Sequence, residues 1–568
     1  MVHIGTVVIS AIKAATGLVG GGKFLFLPTF LGNRPINERN LYKEYDFIVI
    51  GGGSAGAVVA NRLTEVPEWN TLLLEAGGHE TELTDVPVLS LYLHGSKFDW
   101  KYKTQPQSTA CGAMIDRRGK VIGGSSSVSR YFKKSEDQRN PLPTVQDSPW
   151  NTPLGPAFLQ AGEEMGYDIR DINGEKQTGY AFYQFTMRRG YRCSTAKAFL
   201  NPIRLRRKLH TALWSHVTRI LIDPATKRAY GVEFIRDGKK QTVLAKREVI
   251  LSAGAINSPQ LLMLSGVGPA LHLAEKGIPV IHDSPGVGQN LMDHIAVGGL
   301  VFLLDQPISL VIGRIFNIHA SIRYAVLGDG PLTSSVGLET VAFITTKYGN
   351  VTDDWPDIEF MLTSSSTVSD GGTQCKKAHG LRQDFYDEYL GDITNRDVFG
   401  VFPMILRPKS RGYLKLRSKN PLQYPLLYHN YLTHPDDVRV LREGVKAGIA
   451  LAETEAMKRF GARFHDRPVP GCKKFTLWTD DYWDCVIRQY TMTIYHMSGT
   501  AKMGPETDPG AVVDSQLRVY GVQGFAGHRC VYHAGHHVRQ YQRAGHHDRR
   551  EGGRYDKGLL ARGRLRRC

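Results

Sequence analysis

The sequence predicts an α/β protein with a parallel sheet at its centre, and three observations near the start of the chain predict it. Residues 46–50 (DFIVI) form a short β-branched run of the kind buried on both faces of a parallel sheet. Residues 51–56 (GGGSAG) follow at once, and 57–63 (AVVANRL) continue with helical character. A second apolar run, 70–74, ends in the acid Glu75, 24 residues after Gly51. Strand, glycine turn, helix, strand and acid occur in the order of a dinucleotide-binding unit.

Each part of that unit has a physical reason. Gly51 permits the tight turn, Gly53 lets the backbone approach a pyrophosphate, and Gly56 lets helix pack on strand. Ser54 and Ala55 open the helix, whose unpaired N–H groups and partial positive charge suit phosphate oxygens. Glu75 is placed to accept ribose hydroxyls, and its charge argues against a 2′-phosphate. The turn alone does not distinguish FAD from NAD.

Composition bounds the rest. The chain has 568 residues, 42% hydrophobic and 22% charged, enough for at least two packed cores and incompatible with disorder over most of its length. Its 60 glycines and 28 prolines follow no Gly-X-Y period, which excludes a collagen-like fibre. The net charge of +17 would by itself suggest nucleic acid or an anionic surface. Residues 525–568, however, carry 11 Lys/Arg against 3 Asp/Glu, so nearly half of the excess belongs to one tail and no nucleic-acid partner is expected. Seven cysteines lie too far apart for a CxxC metal site or a dense disulfide framework, so no metal is expected and the compartment stays open. Lys13, Lys23 and Pro28 interrupt the apolar N-terminus before any run reaches the ~18–20 residues of a spanning helix. Residues 4–22 suit a signal peptide with a weak basic start, and an extracellular location is expected.

Further motifs are more specific. They are RGKVIGGSSSV at 118–128, GAINSPQLLMLSGVG at 254–268, PGVGQNLMDH at 285–294, RGYLKL at 411–416, YHMSGTAKMG at 495–504 and VDSQLRVYG at 513–521. Together with the first glycine turn they resemble the glucose-methanol-choline (GMC) oxidoreductases from about residue 44 to 524, and within them the insect FAD-dependent glucose dehydrogenase-like branch. The resemblance implies FAD as cofactor, with the loop at 119–126 (Val121, Gly124, Ser125) along the flavin and the backbone of Val217 at the adenine. It implies a Rossmann-like FAD-binding domain interleaved with an α+β substrate domain on an antiparallel sheet. The segments are 1–43 (apolar, signal-like), 44–315 (FAD-binding region), 316–407 (substrate domain), 408–524 (C-terminal region) and 525–568 (aberrant basic tail).

The implied reaction is oxidation of a CH–OH group in a small alcohol or sugar such as glucose. A hydroxyl proton leaves to a base while a hydride passes to flavin N5, and a quinone-like acceptor or oxygen removes the electrons. A histidine is poised for the proton near neutral pH. The resemblance makes His496 that base and gives His294 a structural place near the flavin. His429 and His434 read as surface residues.

Three departures from the family pattern stand out. Ser129 runs directly into Arg130 without the flavin-covering segment, and Pro141 into Leu142 without a glycine-rich stretch. After Gly524 two AGHH copies at 534–537 and 544–547 replace the usual active-site segment. Read one base later, the AGHH codons restore family-like residues, so a frameshift is favoured over a metal-binding or nucleic-acid-binding tail. As written, the tail is expected to be disordered. Lost cover would expose the flavin ring to water. The alternative function is therefore a catalytically impaired or dead member of the family.

Overall fold

The computed structural model describes residues 34–110, 115–116, 118–127, 145–352 and 354–527. The N-terminal 33 residues, both internal junctions and the AGHH repeats lie outside the described residues.

The central sheet uses β1 (Glu44–Ile50), β2 (Thr71–Leu74), β3 (Leu209–Ala212), β4 (His216–Ile222), β5 (Ala229–Arg236), β6 (Lys239–Leu251) and β7 (Phe525–Gly527). Their order is β4-β5-β6-β1-β2-β3, with β7 against the end of β6. The β6-β1-β2-β3 half is parallel and the β4-β5-β6 part is an antiparallel meander. β6 joins the two because it is 13 residues long. Its first half pairs with β5 across Asp237-Gly238, both left-handed (φ 51° and 73°), as a tight hairpin requires. Its second half enters the parallel sheet beside β1.

Both faces of β1 are covered, which explains its unbroken apolar run. Phe47 and Val49 pack with Ala57, Ala60 and Leu63 of α1 (Ser54–Leu63). Ile48 and Ile50 pack with Ala255, Ile256 and Leu261 of α2 (Gly254–Leu264). The ordered fold continues past the boundary expected at 524. Phe525 is buried and pairs with Val249, because an apolar residue there still completes the β6 edge.

A second sheet of eight strands supports the other half of the molecule. Val301–Leu303, Val398–Ile405, Ile358–Thr363, Leu338–Ile344 and Gly179–Phe182 are antiparallel neighbours. Ile295–Val297 links Val398–Ile405 to Thr491–Thr493. Phe360, Leu362, Val401 and Ile405 face a core shared with α3 (Pro435–Ala452). Gly444 and Gly448 let α3 approach closely; a Cβ at Gly444 would lie 3.1 Å from Ile358 and Pro403 side-chain atoms. The alternate residues Met361, Phe402 and Met404 face the opposite way, beside Ala296 and Ile494. No helix among the described residues is long and apolar enough to cross a membrane.

Candidate functional site

The glycine turn at the end of β1 is fixed by backbone crowding. Gly51 adopts φ +96°, and a Cβ there would lie 2.5 Å from the Ser252 carbonyl oxygen. A Cβ on Gly56 would lie 1.8 Å from the Gly51 carbonyl oxygen, so α1 can begin this close to the turn only with glycine. Gly124, at φ +57°, brings the loop at 118–127 against the turn; a Cβ on it would lie 2.7 Å from Gly53 Cα.

Between these elements runs a cleft enclosing about 1090 Å³ of empty space, partly open to solvent. Gly51, Gly53, Ser54, Ala55, Glu75, Gly124, Ser125 and Val217 all line it. Gly56 does not line it and acts behind the turn. Val121 is fully buried beside Leu93 and Phe98, bridging to Gly78, and is not among the lining residues. Glu75 accepts the N–H groups of Gly52 (2.8 Å) and Gly77 (2.7 Å). Burial outweighs those bonds and pushes its carboxyl up to about 7.

Several wall residues were not anticipated. Trp100 and Tyr102 stack 5.9 Å apart, and the Tyr102 hydroxyl donates to Asn257 Oδ1 (2.5 Å). α2 brings a second helix N-terminus to the cleft behind Ser252, Ala253 and Gly254. The glycine at 254 was visible in the sequence, but its approach to the first turn depends on β6 lying beside β1.

His496 lies at a second centre, tied to the cleft by Arg118, whose Nη1 donates to the Tyr495 carbonyl (2.8 Å). Tyr495 has φ +62°, a left-handed turn immediately before the histidine. Asp293 holds that turn from below. Its Oδ1 accepts the His496 N–H (2.8 Å), and its Oδ2 accepts the hydroxyls of Tyr431 (2.5 Å) and Thr493 (2.6 Å). Burial raises the Asp293 pKa despite these bonds.

The imidazoles of His294 and His496 meet Nδ1 to Nδ1 at 3.0 Å. His294 Nε2 lies 3.0 Å from the Leu406 carbonyl oxygen, which can only accept, so this nitrogen carries hydrogen. In neutral His294 the Nδ1 is then an acceptor, and the shared bond places hydrogen on His496 Nδ1. That assignment leaves the basic lone pair of His496 on Nε2. The structural place expected for His294 is thus also a tautomer-setting one, which 202 residues of sequence separation concealed.

The surface reading of His429 is corrected. Its ring is buried against Tyr431 with neither nitrogen hydrogen-bonded, and burial pushes its pKa down to about 3. It follows the strand Leu426–Tyr428, and the fold carries it inward with that strand. His434 is half-exposed and caps α3, its Nδ1 accepting the Asp436 N–H (3.2 Å).

Residues 45–296 match the N-terminal model of the GMC oxidoreductases, and residues 408–526 the C-terminal one. The chain is 39% identical over 529 residues to the glucose dehydrogenase [FAD, quinone] of Drosophila melanogaster, covering 85% of this chain and 81% of that protein. It is 35% identical over 535 residues to the mitochondrial choline dehydrogenase of Mus musculus, covering 84% of each. The fold is also that of a formate oxidase from Aspergillus oryzae (TM-score 0.74, 23% identity, 87% of this chain and 94% of that one). A pyridoxine 4-oxidase from Mesorbium loti is similar (TM-score 0.70, 23% identity, 87% and 96%). Two family models over most of the chain, with the glycine turn and the histidine centre placed as described, show that this protein belongs to the GMC oxidoreductase family.

Proposed function

We propose that this FAD-dependent GMC oxidoreductase oxidises a CH–OH group of a sugar or related alcohol, with His496 as the base. The carrying observation is the hydrogen-bond chain from the Leu406 carbonyl through His294 to His496, which leaves the His496 lone pair on Nε2.

The cleft fits the cofactor on its own evidence. Ser252 Oγ is buried in its wall with no hydrogen-bond partner. Two helix N-termini converge on it, and Gly53 and Gly124, packed against each other, line it with backbone alone. Gly51, Gly53, Ser54, Ala55 and Ser125 would hold the phosphates, Glu75 the ribose, and Val217 the adenine. When bound, FAD supplies the hydride acceptor. The protein's part is to take the hydroxyl proton on His496 Nε2 while His294 and Asp293 hold the ring and its backbone.

Glucose is the favoured substrate and a quinone the favoured acceptor, supported by the Drosophila relative named for both. An extracellular location is supported by a disulfide, Cys472–Cys485, which the cysteine spacing had not revealed. Replacing both cysteines by serine is expected to cost about 3 kcal/mol, read as a lower melting temperature, because the unfolded chain regains the freedom that closing a loop between residues 13 apart removes.

The functional test is direct. The purified protein should be yellow, and glucose or another alcohol should bleach the flavin without oxygen, with a quinone restoring it. A colourless protein, or a flavin that no alcohol bleaches, would overturn the reading. Gly56→Ala should yield protein without flavin, because the new methyl meets the Gly51 carbonyl oxygen; flavin retained at the wild-type ratio would contradict that role.

A further inference from the structure

The chain holds a single Asn-x-Ser/Thr sequence, Asn350-Val351-Thr352, and the oxidation chemistry makes no use of it. An asparagine in this setting accepts N-linked oligosaccharide, because the transferase reads the hydroxyl two residues after the amide it modifies. The acceptor must also stand where the fold leaves room for a sugar.

The fold puts it at the tip of a hairpin. The strands Leu338–Ile344 and Ile358–Thr363 are antiparallel, closed by the pair Ile344 and Ile358, and residues 345–357 connect them. Both ends of this connection are fastened. Asp357 accepts the N–H (2.8 Å) and the hydroxyl (2.6 Å) of Thr346. Asp354 accepts the N–H groups of Gln177 (2.8 Å) and Thr178 (2.9 Å), and Arg407 Cζ lies 4.4 Å from the Trp355 ring centre. Between these anchors the chain turns in water. Asn350 and Thr352 are exposed, with Tyr348 48% and Val351 76% exposed beside them.

The turn sets the acceptor amide and the hydroxyl together. Asn350 Oδ1 accepts both the Thr352 N–H (3.0 Å) and the Thr352 hydroxyl (2.7 Å). Both bonds use the amide oxygen, and the nitrogen that would carry the sugar takes part in neither. Tyr348 and Val351 add a second argument. Two large apolar side chains stand in water on either side of Asn350, and an oligosaccharide on that residue would cover them, the aromatic ring suiting the apolar face of a pyranose. The Cys472–Cys485 disulfide is a third, since it belongs to the oxidising compartment in which such oligosaccharides are transferred.

We infer that Asn350 is a glycosylation site, carrying an N-linked oligosaccharide that shields the tip of this hairpin. The donor is an oligosaccharide linked to a lipid pyrophosphate. Asn350 Nδ2 bonds to C1 of its first N-acetylglucosamine, the bond from C1 to the phosphate oxygen breaks, the lipid pyrophosphate leaves, and one amide proton passes to a base of the transferase. The inference rests on the extracellular reading above and on no part of the oxidation chemistry.

Peptide mapping of the full-length protein made in insect cells tests it. Protein collected from the medium and treated with peptide-N-glycosidase A in oxygen-labelled water should show Asn350 converted to labelled aspartate. The intact chain should lose the mass of one oligosaccharide on the same treatment. Asn350→Gln and Thr352→Ala should each abolish the larger form, and Thr352→Ser should keep it in part. If a variant does not accumulate, the wild-type peptide decides alone. Secreted protein with an unmodified Asn350 peptide overturns the inference and leaves the extracellular location standing. Protein held in the cytosol with Asn350 unmodified overturns both.

Discussion

His496→Ala should keep its flavin and lose substrate-driven flavin reduction by about 10²- to 10⁴-fold, the usual contribution of a positioned general base. Stopped-flow absorbance with the wild-type substrate measures this. Retained flavin separates loss of chemistry from loss of folding, since His496 is not among the residues lining the cofactor cleft. His294→Ala should have a smaller effect on the same rate. Removing its ring takes away the acceptor for His496 Nδ1–H, and the tautomer is then no longer imposed. Equal reduction rates in His496→Ala and wild type would remove His496 from the mechanism.

Asp293→Ala should be the most damaging single substitution for stability around the site. The buried carboxylate serves the His496 N–H and two hydroxyls, and its loss leaves these donors without their acceptor. The cost is on the order of 3 kcal/mol or more, read from denaturant midpoints. Activity should fall beyond what the remaining folded fraction explains, because the left-handed turn at Tyr495 loses the group that fixes it. A variant with wild-type midpoint and rate would show that the turn is held by other contacts.

The cofactor half of the site was legible because its determinants are local. Gly51, Gly53, Ser54, Ala55 and Glu75 lie within 25 consecutive residues, and the turn forms wherever that strand meets that helix. Val121 does not line the cleft because the loop at 118–127 reaches the turn through Gly124 and Ser125, while Val121 packs in a core behind it. His429 was misread because a histidine among polar neighbours looks exposed until the strand before it is known to run inward. The Cys472–Cys485 bridge was missed because no spacing rule covers a pair 13 residues apart across a helix start.

The sequence by itself determined the fold class, the family motifs and the glycine turn, and it named the residue proposed as base, since each rests on residues close together in the chain. Tertiary structure alone decided which nitrogen of His496 is basic and what holds its backbone. His294 and Asp293 come to it from 202 and 203 residues away. Hydrogen-bond direction and desolvation depend on which groups are brought into contact, and only the packing of the two sheets brings these together.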